Sequence, residues 1–222
     1  MLFRSEVAAV IVEPVQGEGG VRIPSADFLP TLRQRCLQVG ALLIADEVIT
    51  GFGRTGTLFA CAHSEITPDI LVLAKALGGG MPLGAFVGRP EIMRTLSEDP
   101  PLAHVTTFGG HPVSCAAGLA ALDVIVSEGL ATRAADLGRQ WLAQQQSLVG
   151  GSLRAVRARG LLLGLEFDTP MSTRRFVTDC YAHGLILNWT LHRDTVVRLA
   201  PPLTISSDEI AEAQAVIAAA VR

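Results

Sequence analysis

The sequence predicts an α/β fold with a ligand crevice along one edge of its sheet, on three observations. Short apolar runs rich in β-branched residues alternate with longer amphipathic stretches, the rhythm of strands and helices in a layered sheet. Three of those runs close on a charged residue: Val7–Val12 on Glu13, Leu42–Ala45 on Asp46, and Ile70–Ala74 on Lys75. Glycines crowd in behind two of these ends, at Gly51, Gly53 and Gly56 and again at Gly78, Gly79 and Gly80. In open α/β sheets, ligands bind beyond the carboxyl ends of the strands.

Each element follows from its residues. Val7–Val12 is a β-branched run that reads as a buried strand. Ser25 begins a helical stretch through Val39, stopped at Gly40. Leu42–Ala45, Ile70–Ala74 and Ala85–Val87 are the next strands. From Pro112 to Leu148 the pattern is helical, interrupted near Gly129. Beyond it the chain changes character: Arg159–Phe167 and Thr195–Leu199 read as strands, with helices at Ser172–His183 and Ser207–Val221. The expected division is a larger α/β domain over residues 1–129 and a small α+β domain over 130–222.

The 222 residues are 49% hydrophobic and 18% charged, the composition of a well-cored globular chain. A net charge of −3 and the lack of a basic block argue against nucleic acid or an anionic membrane as partner. Cys36, Cys61, Cys115 and Cys180 are widely spaced with no CxxC pairing, and read as small buried hydrophobes in a cytoplasmic protein. His63, His104, His111, His183 and His192 lack metal-ligand spacing, so no metal site is expected.

Lys75 is the only lysine in the chain. At the end of a buried strand its ammonium would be partly desolvated, which favours the free, nucleophilic amine. A strand-end lysine reaching into solvent is the plain alternative. Asp46 closes a buried strand, where a carboxylate is costly unless it meets a cation or several donors. A protonated pyridine nitrogen would be such a partner, and the glycines that follow let the loop pass close to a flat ligand. Asp46 capping the next turn is the alternative here.

Five segments, in order, carry a resemblance: VIVEPVQGEGG (10–20), IADEVITGFGRTG (44–56), PDILVLAKALGGGMPLGA (68–85), HVTTFGGHPVSCAAGLAAL (104–122) and VVRLAPPLTIS (196–206). Together they resemble the class III pyridoxal-phosphate aminotransferases of fold type I, most of all the ornithine, acetylornithine and putrescine types. The resemblance implies a mainly parallel large-domain sheet with helices, followed by a small α+β domain, and pyridoxal 5'-phosphate as cofactor. Lys75 matches the lysine that binds the cofactor covalently and then moves the reaction's proton. Asp46 matches the aspartate paired with the pyridinium nitrogen, which keeps the ring an electron sink. Val48 holds the position that packs on the ring face. Thr107 matches the threonine that reaches the cofactor phosphate of a neighbouring subunit, which implies a homodimer with shared sites. Arg198 resembles the arginine that grips a substrate carboxylate by a bidentate fork, and Glu18 the glutamate that pairs with that arginine until a carboxylate arrives. Thr106 and Thr107 as ordinary hydroxyls, or Arg198 as a surface residue, remain the bland readings.

Ile49 stands where many ornithine-type members have a glutamine that bonds the cofactor's phenolic oxygen. Isoleucine there also occurs in members that use ω-amino acids and amines. The family's chain is about twice this length, and its amino-terminal half supplies the same-subunit phosphate loop and the ring-stacking aromatic. The implied activity is amino transfer from an amine or ω-amino donor to a 2-oxo acid, with 2-oxoglutarate as acceptor. An amine–pyruvate aminotransferase, an aminomutase on the same scaffold, and a non-catalytic remnant corresponding to the carboxyl-terminal half are the alternatives.

Overall fold

A computed structural model of the chain describes residues 6–98, 100–101 and 104–221. They form two compact units. The first runs up to Pro14 and adds Pro24–Phe52 and Phe59–Glu128; the second takes Val15–Ile23, Gly53–Leu58 and the chain from Gly129 onward.

The first unit is an α/β layer. Its strands are β1 (Ala9–Val12), β2 (Leu42–Asp46), β3 (Ile70–Leu73) and β4 (Ala85–Gly88), in the order β1-β2-β3-β4. The first three are parallel and β4 runs antiparallel on β3. Helix α1 (Phe28–Val39) crosses from β1 to β2, burying Leu29, Leu32 and Cys36 against Leu43, Val10 and Val12. It begins after a turn in which Phe28 N–H donates to Ser25 O, three residues later than the sequence suggests. It stops at Gly40, whose φ of 73° is left-handed, a conformation that favours glycine. Short α2 (Pro90–Met93) and long α3 (Pro112–Ser127) complete the unit. At the amino end of β3, Asp69 accepts the Leu43 N–H at 2.8 Å and pairs with Arg33 at 2.6 Å and Arg89 at 3.2 Å. One carboxylate thus ties α1, β2 and the chain after β4 together.

The second unit is α+β. Strands β5 (Leu153–Arg159), β6 (Leu162–Phe167), β7 (Asn188–Thr190) and β8 (Arg193–Leu199) form an antiparallel sheet in the order β5-β6-β8-β7. Helices α4 (Leu130–Gln146), α5 (Pro170–Ala182) and α6 (Ser207–Ala220) supply its core, with Trp141, Phe176 and Ile217 packed on Leu163, Leu165 and Val197. Helix α6 opens on a capping box: Ser206 Oγ accepts the Glu209 N–H, and Glu209 accepts the Ser206 N–H. Strands β5 and β7 were not expected. In β5 the apolar residues alternate with arginines at 154, 157 and 159, and β7 is only three residues long. No single helix among the described residues is long and apolar enough to cross a membrane.

Candidate functional site

Parallel pairing puts the carboxyl ends of β1, β2 and β3 on one edge of the first unit. Val12 lies opposite Ala45, so Glu13 comes level with Asp46; Asp46 lies opposite Val72, so Lys75 follows three residues beyond that level on the neighbouring strand. Asp46 and Lys75 therefore close adjacent parallel strands on one edge, the arrangement that binds ligands in open α/β sheets.

Asp46 is half-buried, and its Oδ1 accepts the Val48 N–H at 3.0 Å. Oδ2 has no hydrogen-bonded partner among the described residues. The next residue, Glu47, turns to the other side of the strand and is fully buried. It accepts hydrogen bonds from Thr50 Oγ1 at 2.5 Å, Ala60 N–H at 2.9 Å and Cys61 N–H at 2.8 Å. Two of these are free amides at the start of the 3-10 turn Ala60–Ser64, so Glu47 caps that turn and fixes the strand end that presents Asp46. Burial, and then the Glu47 charge, push the Cys61 thiol up to about 12, so it is an inert thiol. Sequence reasoning passed over Glu47; a polar residue next to a functional one carries no pattern of its own.

Lys75 opens the 3-10 turn Lys75–Gly78 with φ at 50°, in the left-handed region. For a residue with a Cβ this costs roughly 1–2 kcal/mol. Such strain persists where the surroundings dictate it, and it clusters at functional sites. Helix α3 does the dictating. A Cβ on Gly79 would lie 2.4 Å from Ala117 O, and one on Gly118 would lie 2.5 Å from Leu77 O. Backbone meets backbone at both points, locking the lysine turn onto the helix. The Lys75 side chain itself is exposed. The desolvation that the sequence led us to expect is therefore not supplied by the described residues.

Val48 and Ile49 are half-buried just past Asp46. Thr107 is exposed in the stretch 104–111 that leads into α3. Lys75, Asp46, Val48 and Thr107 thus all belong to the first unit, and Glu18 and Arg198 belong to the second.

In the second unit Glu18 and Arg198 form an ion pair, Arg198 Nη1 with Glu18 Oε1, both half-buried. Glu18 Oε2 accepts the Leu191 N–H at 2.9 Å, and Glu18 O accepts the His192 N–H at 3.1 Å. A second arginine, which the sequence reading left without a role, stands near. Arg54 donates through Nη1 to Pro201 O at 2.6 Å and Leu161 O at 3.0 Å. Burial, and then the Arg198 charge, lower its pKa to about 10. It remains a cation at neutral pH, and adds positive potential around Arg198.

The donor set at the β2–β3 edge fits pyridoxal 5'-phosphate. It comprises an exposed primary amine on a rigid, strained turn, and a carboxylate on the adjacent strand with one oxygen unengaged among the described residues. Comparison with known proteins points the same way. A putrescine aminotransferase from Pectobacterium atrosepticum is 44% identical over 210 residues, covering 93% of this chain and 45% of that protein. The solved ornithine aminotransferase of Toxoplasma gondii is 37% identical with a TM-score of 0.91, over 98% of this chain and 52% of that one. An amine transaminase from an uncultivated Pseudomonas species, solved in its PLP-bound form, is 37% identical with a TM-score of 0.89, over 96% and 51% of the two chains. The chain spans about half the length of these relatives. The class-III aminotransferase family model matches residues 2–221, and the chain belongs to that family.

Proposed function

We propose that this chain carries the cofactor-binding lysine and the substrate-carboxylate arginine of a pyridoxal 5'-phosphate-dependent aminotransferase. The observation that carries this reading is Lys75, held with left-handed φ at the carboxyl edge beside the strand that ends in Asp46. Lys75 and Asp46 would hold the cofactor, with Val48 against its ring and Thr107 toward the phosphate held by a partner copy in a homodimer. The cofactor when bound supplies an electron sink and carries the amino group between the two substrates. Lys75 Nζ takes up a proton from the substrate carbon and gives one back. The Asp46 carboxylate keeps a proton on the ring nitrogen. Arg198 offers its fork to a substrate carboxylate, and Glu18 neutralises it when the substrate brings none.

The donor in this reading is an amine or ω-amino compound of the ornithine, acetylornithine or putrescine type, supported by the likeness to a putrescine and an ornithine aminotransferase, and the acceptor is a 2-oxo acid, 2-oxoglutarate being the first to try. Ile49 makes pyruvate the second acceptor to try. The test is to load the protein with pyridoxal 5'-phosphate, reduce with borohydride and map the pyridoxyl group by mass spectrometry. The group is expected on Lys75, and its attachment to any other amine overturns the assignment. Single half-reactions with 2-oxoglutarate and pyruvate, followed by cofactor absorbance, then rank the acceptors.

A further inference from the structure

The Glu18 turn is held in place by residues that no role yet accounts for. Cross-strand register sets Arg157, Gly164 and Arg198 in one row across β5, β6 and β8, on one face of the sheet. The central position has no side chain, and the turn fills that space: a Cβ on Gly164 would lie 2.9 Å from Val21 Cβ. Val21 is fully buried, and its φ of 50° is a real outlier for a β-branched residue. Something must over-determine such a conformation.

Arg157 does so. Its Nε donates to Gly20 O at 2.9 Å and Val21 O at 2.8 Å, and its Nη2 donates to Gly20 O as well. Its Nη1 pairs with Glu166 at 2.6 Å, and Arg193 holds the other oxygen of that carboxylate. Burial works against the charge on Glu166, and the two guanidiniums outweigh it, keeping its carboxyl below the usual range. One arginine of the row therefore grips the backbone of the turn while the other grips its Glu18 side chain.

We propose that Arg157, anchored by Glu166, is a positioning residue that presses the Glu18 turn over Gly164 and so sets how strongly Glu18 competes with a substrate carboxylate for Arg198. The inference rests on the reading of Arg198 as the carboxylate site. It makes the clamp a determinant of specificity: a firm clamp favours substrates without a carboxylate at this position, and a loose one favours acids.

The test is calorimetric binding of glutarate, a dicarboxylate with no oxo group to accept an amine, to the cofactor-loaded protein. Glu18→Gln should bind it roughly tenfold tighter, the scale of one charge-assisted hydrogen bond removed from the competition. Arg157→Gln should also tighten it several-fold, although losing a cation by itself weakens an anion's binding. The double variant should bind no tighter than Glu18→Gln alone, and Arg157→Lys should lie between wild type and Arg157→Gln. Gly164→Ala, which keeps every charge and only crowds Val21, should tighten binding too, and guards against misfolding of the arginine variants. Unchanged or weaker binding in both Arg157→Gln and Gly164→Ala, with Glu18→Gln tightened, overturns the clamp and leaves the carboxylate site standing. No tightening in Glu18→Gln overturns both.

Discussion

In the function proposed above, a single carboxylate, Asp46, holds the pyridine nitrogen at the β2–β3 edge. One of its oxygens is fixed by the Val48 N–H, and the other makes no hydrogen bond among the described residues. Asp46→Asn preserves the shape and removes the charge. Removing one partner of a buried ion pair costs about 3–5 kcal/mol. Expressed in the transition state, that is a loss on the order of 10²–10³ or more in turnover, with the cofactor still bound. Stopped-flow half-reactions on cofactor-loaded protein measure it, and near-wild-type rates would remove Asp46 from the role. The neighbouring residue shows what sequence could not supply. Asp46 and Glu47 are adjacent acids, and only the strand's alternation sends one to the site edge and the other into the core as a cap.

At the scale of elements, the contact between α3 and the lysine turn fixes that turn. Gly118 and Gly79 let two backbones touch, and Gly118→Val places side-chain atoms where Leu77 O now sits. We expect a stability loss of about 1–3 kcal/mol and slower capture of pyridoxal phosphate by Lys75. Gly84→Ala is the contrast, because its Cβ would meet only Leu73 O at an ordinary 3.7 Å. Equal melting temperatures and capture rates in the two variants would show that the α3 contact does not shape the turn. Asp69 is the other joint. The Arg33 and Arg89 guanidiniums and the Leu43 amide outweigh the burial that would raise its pKa, so its folded value lies below 3.8. The stabilisation is therefore complete above the unfolded value and lost as pH falls through the folded one. Urea unfolding of wild type and Asp69→Asn should differ by a constant amount at neutral pH, and the gap should close below about pH 3.8. A gap that stays constant into acid would show that the Asp69 charge contributes nothing.

For the whole molecule, apolar surface is the telling feature. Helix α3 is apolar along most of its length, yet Val113, Leu119, Val124 and Val126 are exposed, Leu119 by 62%. A helix hydrophobic all round belongs inside a larger body. The relatives named above have about twice the length of this chain. The 222-residue chain by itself should accordingly self-associate at micromolar concentration, and Leu119→Glu with Val126→Lys should reduce it. Light scattering across a dilution series tests this. A monodisperse monomer in the unmodified chain would show that the exposed face of α3 needs no cover.

The sequence by itself determined the α/β order, the strands that close on Asp46 and Lys75, and the family, because those depend on local pattern and ordered motifs. Helix α1, β2 and β8 fall close to where their periodicity places them. Four things had to come from the tertiary structure: strands β5 and β7, the antiparallel direction of β4, the capping role of Glu47, and the row Arg157–Gly164–Arg198 that seats the Glu18 turn. Each of these depends on a partner far along the chain. An arginine at 157 that meets a carbonyl at 20 leaves no local trace, and its role exists only once the strand between them lacks a side chain.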